Sequence, residues 1–288
     1  VIQEWVCLNG RLLPAEEARI SVFDSGFMQG VGLFETMRVY RGRPFRLERH
    51  LDRLANSARK LGWSVIPEPE QTRDHVEQVL GPFAGQDARL RLTVTTGSLR
   101  ITDRDLPELT IVASAAPGGK YPDDYYHKGV TLLVSRYRQS RHDPIAGHKT
   151  TSYFSRLASL REAHARGAAE ALWLTDDEHV AEGAISTVFA VRADRLLTPP
   201  LETPVLPGIT RATVIELATE LGIPVEERPL RLEELQSADE VFLTNSMMEV
   251  LPVVRIERTA IGTEKPGEIT MRLAQAYRKL VEKECGYA

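Results

Sequence analysis

Cysteine is nearly absent from this chain of 288 residues: Cys7 and Cys285 stand at opposite ends. Two so distant thiols make neither a metal-ligand pair nor a disulfide framework, which suits a reducing compartment. Long apolar runs are missing as well. No stretch approaches the roughly 18 residues of a membrane span, and the opening VIQEWVCLNG brings charge and polarity too early for a signal peptide. A cytoplasmic location is the expectation. Nor is there a basic stripe: the formal charge is −4 with both signs interspersed, so neither nucleic acid nor a membrane is expected as a partner. Repeats and low-complexity segments are lacking too. The last scarcity is lysine, with seven against 29 arginines, so the search for a nucleophilic amine is short. What is present is apolar material: 42% hydrophobic residues at this length are enough for a substantial core and favour two domains.

The pattern along the chain gives α+β organisation. WVCLNGRLLP and ETMRVYRGRPFRL each place a turn pair, Asn9-Gly10 and Arg41-Gly42, between apolar flanks, as hairpins do. Leu47, Leu51, Leu54, Ala58 and Leu61 share one helical face, which Gly62 stops. In RLRLTVTTG, Leu90, Leu92 and Val94 alternate with Arg91, Thr93 and Thr95, the period of a strand that turns Arg91 away from the core. After the strand PELTIVASA, the residues APGGKYPDD collect Pro, Gly and Asp. The expected division is therefore a small domain over 1–116, a linker over 117–124 and a larger domain over 125–288. The larger one reads as GVTLLVS, a helix from Ser152 to about Arg166, short strands EALWLT and STVFAV, and a helix after LPGITR. In that helix Val214, Leu217, Ala218 and Leu221 form one face, ended by Gly222. The strand DEVFLTN and the terminal helix ITMRLAQAYRKLVEK complete it.

Six of the seven lysines fall at helix faces, linkers or turns, where an ammonium is normally just solvated. Lys149, in IAGHKTTSYFSRL, has different surroundings. Gly147 before it permits close backbone approach, and Thr150, Thr151 and Ser152 after it suit a helix start. Taken alone, an ordinary surface lysine still accounts for it. A second stretch, AEGAISTVFAVRADRLLTPPLETPVLPGITR, sets Glu182 before a turn of small residues and brings Gly208 and Thr210 to the start of a helix, whose amides can hold an anion. An acidic turn followed by a capped helix accounts for that stretch equally.

In the order Lys149, Glu182, Thr198-Pro199 and LPGITR, the chain resembles the class IV aminotransferase family, the fold-type IV pyridoxal-phosphate enzymes. The likeness covers nearly the whole chain: DSGFMQGVGLFETMRVYRGRPFRLERHLDRL is similar to the family's opening, and ADEVFLTNSMMEVLPV to its late strand and loop. The resemblance implies an α+β enzyme with a small N-terminal α/β domain and a larger domain of short strands in a barrel-like core. It also implies pyridoxal 5'-phosphate as cofactor and a homodimer. Lys149 would be the catalytic Schiff-base lysine and the general acid-base, and Glu182 the partner of the pyridine nitrogen. Arg53, Gly208, Ile209, Thr210 and Ser246 would receive the phosphate, Leu206 pack on the ring, and Tyr153 lie near the phenolic oxygen. Ser186 and Thr187 would complete the cofactor contacts. Threonine stands at 187 where the family usually has asparagine, so a side-chain amide contact does not carry over.

The reaction is read less directly. Phe34, Arg38, Arg91, Arg100, Thr244 and Asn245 are the candidate substrate residues, with the three arginines as partners for a carboxylate. Arg91 stands where branched-chain enzymes carry a pocket arginine, but Arg89 replaces their tyrosine. The arginine-x-histidine clamp of D-amino acid enzymes is not evident in TTGSLRITDRDLP, while FLTNSMMEVLPV with Asn245, and GLFETMRVYRG, look most like lyases and the poorly sorted transaminases near them. The expectation is an aminotransferase moving an amino group between small amino acids, D-amino or branched-chain, or amines, and 2-oxo acids. The alternative is aminodeoxychorismate lyase. Two readings of another class are a pyridoxal-phosphate binding protein without turnover and a binding protein without cofactor.

Overall fold

Two tight hairpins begin the chain because Asn9 and Arg41 accept positive φ, at 48° and 47°, and are each followed by a glycine, at 79° and 84°. This is the turn geometry that matches strand twist. The computed structural model describes residues 4–98, 108–118 and 121–286. The chain forms two compact units. One comprises Val1–Gly119, His148–Ser152 and Val281–Ala288; the other comprises Lys120–Gly147 and Tyr153–Leu280.

The first unit is built on a six-stranded antiparallel sheet of order β2-β1-β6-β5-β3-β4. Its strands are β1 (Trp5–Leu8), β2 (Arg11–Pro14), β3 (Gly32–Tyr40), β4 (Arg43–Pro44), β5 (Ala88–Thr95) and β6 (Thr110–Pro117). Helices α1 (Ser25–Met28), α2 (Leu47–Lys60) and α3 (Pro69–Leu80) accompany it. Leu51, Leu54 and Ala58 of α2 are buried with Leu90, Leu92 and Val94 of β5 in one core, each large side chain contributing about 2 kcal/mol. The opposite face of β5 carries Arg89, Arg91 and Thr93, in register with Arg38, Thr36 and Phe34 of β3. The unit also takes in His148–Ser152, a difference from a single boundary at 117–124. Its cause is pairing: Leu33 bridges Thr150, and Thr151 N donates to Gly32 O at 2.9 Å.

The second unit carries a nine-stranded mixed sheet curled into a half barrel. Its strands are β7 (Val130–Gln139), β8 (Glu170–Thr175), β9 (Val180–Gly183), β10 (Thr187–Arg192), β11 (Arg195–Thr198), β12 (Val225–Glu227), β13 (Glu240–Asn245), β14 (Glu249–Ile256) and β15 (Thr259–Ala260). The order is β12-β11-β10-β13-β14-β7-β8-β9, with β15 on β14. Register shifts where β7 meets β14 and β8, and where β8 meets β9, bend the strands as bulges do. Helices α4 (Asp123–Lys128), α5 (Phe154–Ala165), α6 (Ile209–Glu220), α7 (Leu232–Gln236) and α8 (Glu268–Cys285) complete the fold, the residues of α8 from Val281 on belonging to the first unit. The helix expected from Ser152 starts at Phe154, and the one expected after LPGITR starts inside it, at Ile209. Val214, Leu217 and Ala218 are buried as expected; Leu221 is 38% exposed because it caps the helix end instead of lying on its core face. Strands β7 and β8 are parallel and joined by α5, and β11 and β12 are parallel and joined by α6. Both helices therefore start beyond the carboxyl ends of strands, where open α/β sheets place their ligand sites.

Candidate active site

In the first unit, the residues of interest gather around Phe34. Its amide donates to Lys149 O at 2.9 Å, which fixes the lysine's backbone beside β3. Lys149 Nζ lies 4.6 Å from the Phe34 ring centroid and the Arg91 guanidinium 3.9 Å from it, two cations on one aromatic ring. Arg91 also donates from Nε to Thr93 Oγ1 at 3.2 Å. Farther along β3, the Arg38 guanidinium is 4.7 Å from the Tyr40 ring. Arg100 lies outside the described residues.

Arg53 is held from behind by groups that sequence reasoning missed. Its Nε and Nη2 donate to the two oxygens of Glu35 at 2.8 and 2.5 Å, and His50 Nδ1 is 2.7 Å from Glu35 Oε2. Glu35 and His50 are each 1% exposed. Burial alone would raise the Glu35 carboxyl, but the Arg53 charge and the His50 hydrogen bond outweigh it and hold it at about 2. Burial lowers His50, with Arg53 and Lys149 adding to the effect against Glu35. The imidazole is thus neutral at neutral pH and donates Nδ1–H to the carboxylate. The signal in the sequence was the i, i+3 spacing of His50 and Arg53 on one helix, readable only with their partner strand known.

In the second unit, one turn organises the rest. Glu182, 7% exposed, accepts from Arg156 Nη2 at 2.8 Å and from Leu206 N at 3.0 Å, so the guanidinium and the start of LPGITR fix its two oxygens separately. Arg156 in turn donates to Gly183 O at 3.1 Å and packs 4.3 Å over the Trp173 ring. Tyr153 Oη donates to Ala184 O at 3.2 Å, and Asn245 Nδ2 to Ile185 O at 3.0 Å. Asn245 Oδ1 accepts from the amides of Met247 and Met248, both at 2.8 Å, so this side chain braces the loop bearing Ser246. Thr187 and Thr244 face each other across β10 and β13.

The same unit offers donors to an anion. Helix α6 starts at Ile209 after Gly208, with no side chain among the described residues capping its amides, and Ile209 and Thr210 are buried. A Cβ at Gly208 would lie 3.0 Å from Thr187 Oγ1, so backbone approaches the threonine closely because residue 208 is glycine. Thr244 Oγ1 is buried without a hydrogen-bond partner among the described residues, a cost of roughly 1–3 kcal/mol for an orphaned polar group. Uncapped amides at the start of α6 are what a phosphate satisfies, and the buried Thr244 hydroxyl is open to a bound molecule, so the residues fit pyridoxal phosphate. Arg211, by contrast, is spent on Pro199 O and Glu227 and holds the motif together.

A family model described as Amino-transferase class IV matches residues 32–256. A putative branched-chain-amino-acid aminotransferase of Methanocaldococcus jannaschii is 35% identical over 280 residues, 96% of each chain. The aminodeoxychorismate lyase of Bacillus subtilis is 30% identical over 286 residues, 96% of this chain and 94% of that one. Among solved structures, the branched-chain amino acid aminotransferase from Thermobaculum terrenum, in its PLP-form, superimposes with a TM-score of 0.86 at 27% identity, covering 98% of this chain and 94% of that one. No helix among the described residues is long and apolar enough to cross a membrane.

Proposed function

The chain belongs to the class IV aminotransferase family, and from that premise we propose that it moves an amino group between a small amino acid, branched-chain or D-amino, and a 2-oxo acid, with Lys149 as the reacting amine. Its cofactor, pyridoxal phosphate, supplies when bound an electron sink for the carbanion at the substrate Cα. Lys149 Nζ would hold the cofactor and then carry the proton to and from the substrate Cα. Glu182 is the acceptor for the pyridine nitrogen, kept in place by Arg156 and the Leu206 amide. In the second unit the amides of Ile209 and Thr210 and the hydroxyls of Thr210 and Ser246 are the candidates for the phosphate, and in the first unit the candidate is Arg53. Leu206, Tyr153, Ser186 and Thr187 border the ring.

One observation carries this reading: Glu182 is bonded to the Leu206 amide at the start of LPGITR, 24 residues on, which joins the acidic turn to the uncapped helix start. Arg38 and Arg91, on one face of the first unit's sheet, are the candidates for a substrate carboxylate, and Phe34 and Thr244 for its side chain. The run Ile20–Val31 exposes Phe23 at 61% and Phe27 at 69%, an apolar surface consistent with a homodimer; sedimentation at assay concentration checks it. For the reaction itself, borohydride should fix the cofactor on Lys149, located by peptide mass, and Lys149→Ala should abolish turnover. An amino donor alone should then shift the cofactor's absorbance, with pyruvate or 2-oxoglutarate restoring it. The 30% identity to a lyase over 96% of this chain favours a second reading, aminodeoxychorismate lyase. It is preferred if no donor shifts the spectrum and aminodeoxychorismate is consumed without an acceptor.

A further inference from the structure

Beneath the turn between Glu182 and Thr187 lies a carboxylate that the proposed reaction does not use. Glu170 opens β8 and is 1% exposed. Its Oε1 accepts from Ala171 N at 2.9 Å; its Oε2 accepts from Ile185 N at 3.3 Å and from Ser186 Oγ at 3.0 Å. Gly183 N closes the turn on Ser186 O at 2.7 Å. A Cβ at Gly183 would lie 3.2 Å from Glu170 Cδ and 2.1 Å from Ser186 Oγ, so no side chain separates turn from carboxylate.

Two of the three donors are main-chain N–H groups, which only donate; a serine hydroxyl both gives and takes. While Glu170 is charged, all three can donate to it. When it carries a proton, that proton needs an acceptor, and Ser186 Oγ is the member of the trio able to accept. Its own hydrogen is then released from Glu170. We propose that Glu170 is a positioning residue whose protonation sets the direction of the Ser186 hydroxyl, and with it the hydrogen-bonding state of the turn that joins Glu182 to Thr187. The coupling to Ser186 stands on geometry; its consequence for cofactor binding rests on the reading above.

The surroundings bring this exchange into the working range of pH. Burial raises the Glu170 carboxyl to about 7, against smaller lowering by its hydrogen bonds from Ala171, Ser186 and Ile185. Of the charged or titratable groups on the elements packed against it, Arg161 of α5 is exposed and those that follow have other engagements. Arg156 of α5 and Glu182 of β9 pair at 2.8 Å, and His164 of α5 lies 3.1 Å from Ala169 O. Arg136 and Arg138 of β7 pair with Glu162 and Glu178.

The test uses the full-length protein freed of cofactor and titrated with pyridoxamine phosphate, which has the ring and phosphate but no aldehyde for a lysine. Measurements at about pH 6 and about pH 8.5 bracket the titration. Wild-type affinity should change about three- to tenfold more across that interval than the affinity of Glu170→Gln, the worth of one hydrogen bond. Ser186→Ala should lose the same increment, and it carries this arm if Glu170→Gln does not fold. A second arm needs no cofactor: carboxyl-carbon NMR follows the Glu170 midpoint, which Ser186→Ala should raise by removing a donor to the charged form. A midpoint indifferent to Ser186→Ala overturns the proposal whatever the binding data show. Superimposable binding profiles for wild type and Glu170→Gln overturn its link to the cofactor. Failure of wild type to bind pyridoxamine phosphate at either pH counts against the cofactor reading instead, and the midpoint then decides the coupling alone.

Discussion

Glu35 in the first unit and Glu170 in the second are buried to the same 1% exposure, yet one carboxyl is held at about 2 and the other raised to about 7. Burial acts on both in the same direction. The difference is a cation: Glu35 has Arg53 on both oxygens and the His50 imidazole beside it, whereas Glu170 is met by two amides and a hydroxyl. At Glu170 the amide and hydroxyl dipoles do not offset the loss of water around the charge, while at Glu35 the bidentate guanidinium and the imidazole do. Equal burial thus gives a permanent anion in one unit and a group that titrates near neutrality in the other.

The comparison breaks most severely if the cation is removed. Arg53→Ala strands the Glu35 charge and should cost about 3–5 kcal/mol, read as a lowered urea midpoint at neutral pH. The loss should shrink in acid, as Glu35 takes up a proton. Next in size is the opposite response of the two carboxylates to pH, each worth about 3 kcal/mol from its displacement. Glu35, depressed, contributes stability present above the unfolded value of 4.5 and lost as pH falls toward about 2. Glu170, raised, contributes stability present below the unfolded value of 4.5 and lost as pH rises through about 7. Stability measured against pH for wild type, Glu35→Gln and Glu170→Gln separates them, and slopes of the same sign for both sites would falsify the contrast.

Smaller effects sharpen the view of the second unit. Thr244→Val removes a buried hydroxyl without a partner among the described residues, so the cofactor-free protein should be unchanged or up to about 1 kcal/mol more stable by thermal melt. A marked loss would show that the hydroxyl has a partner. The smallest effect belongs to an exposed pair: Lys128 and Asp124 lie 2.7 Å apart with side chains 72% and 69% exposed, and Lys128→Ala should change stability by about 0.5 kcal/mol or less.

Much of the architecture was legible in the residues. The Asn9-Gly10 and Arg41-Gly42 turns, the α2 face and the alternation of β5 announce themselves because turn chemistry and side-chain period are local. Helix α3 was not read: in PEQTRDHVEQVL the large apolar residues, Val76, Val79 and Leu80, crowd its last turns, leaving no stripe over its length. The site was legible in part. Lys149, Glu182 and LPGITR stand out by order and resemblance, but nothing in HLDRL shows that Arg53 is braced by Glu35, and the first letter of EALWLT reads as the polar start of a strand.

By itself, then, the sequence determined the family and most of the element types, and it marked the candidate reactive residues, since periodicity, turn residues and motif order all act over short distances along the chain. Only the tertiary structure decided which buried carboxylate meets a cation and which meets neutral donors. Protonation depends on what lies within a few ångströms of the oxygen atoms. At Glu35 those neighbours arrive from 15 and 18 residues away, and at Glu170 two of the three donors from 15 and 16.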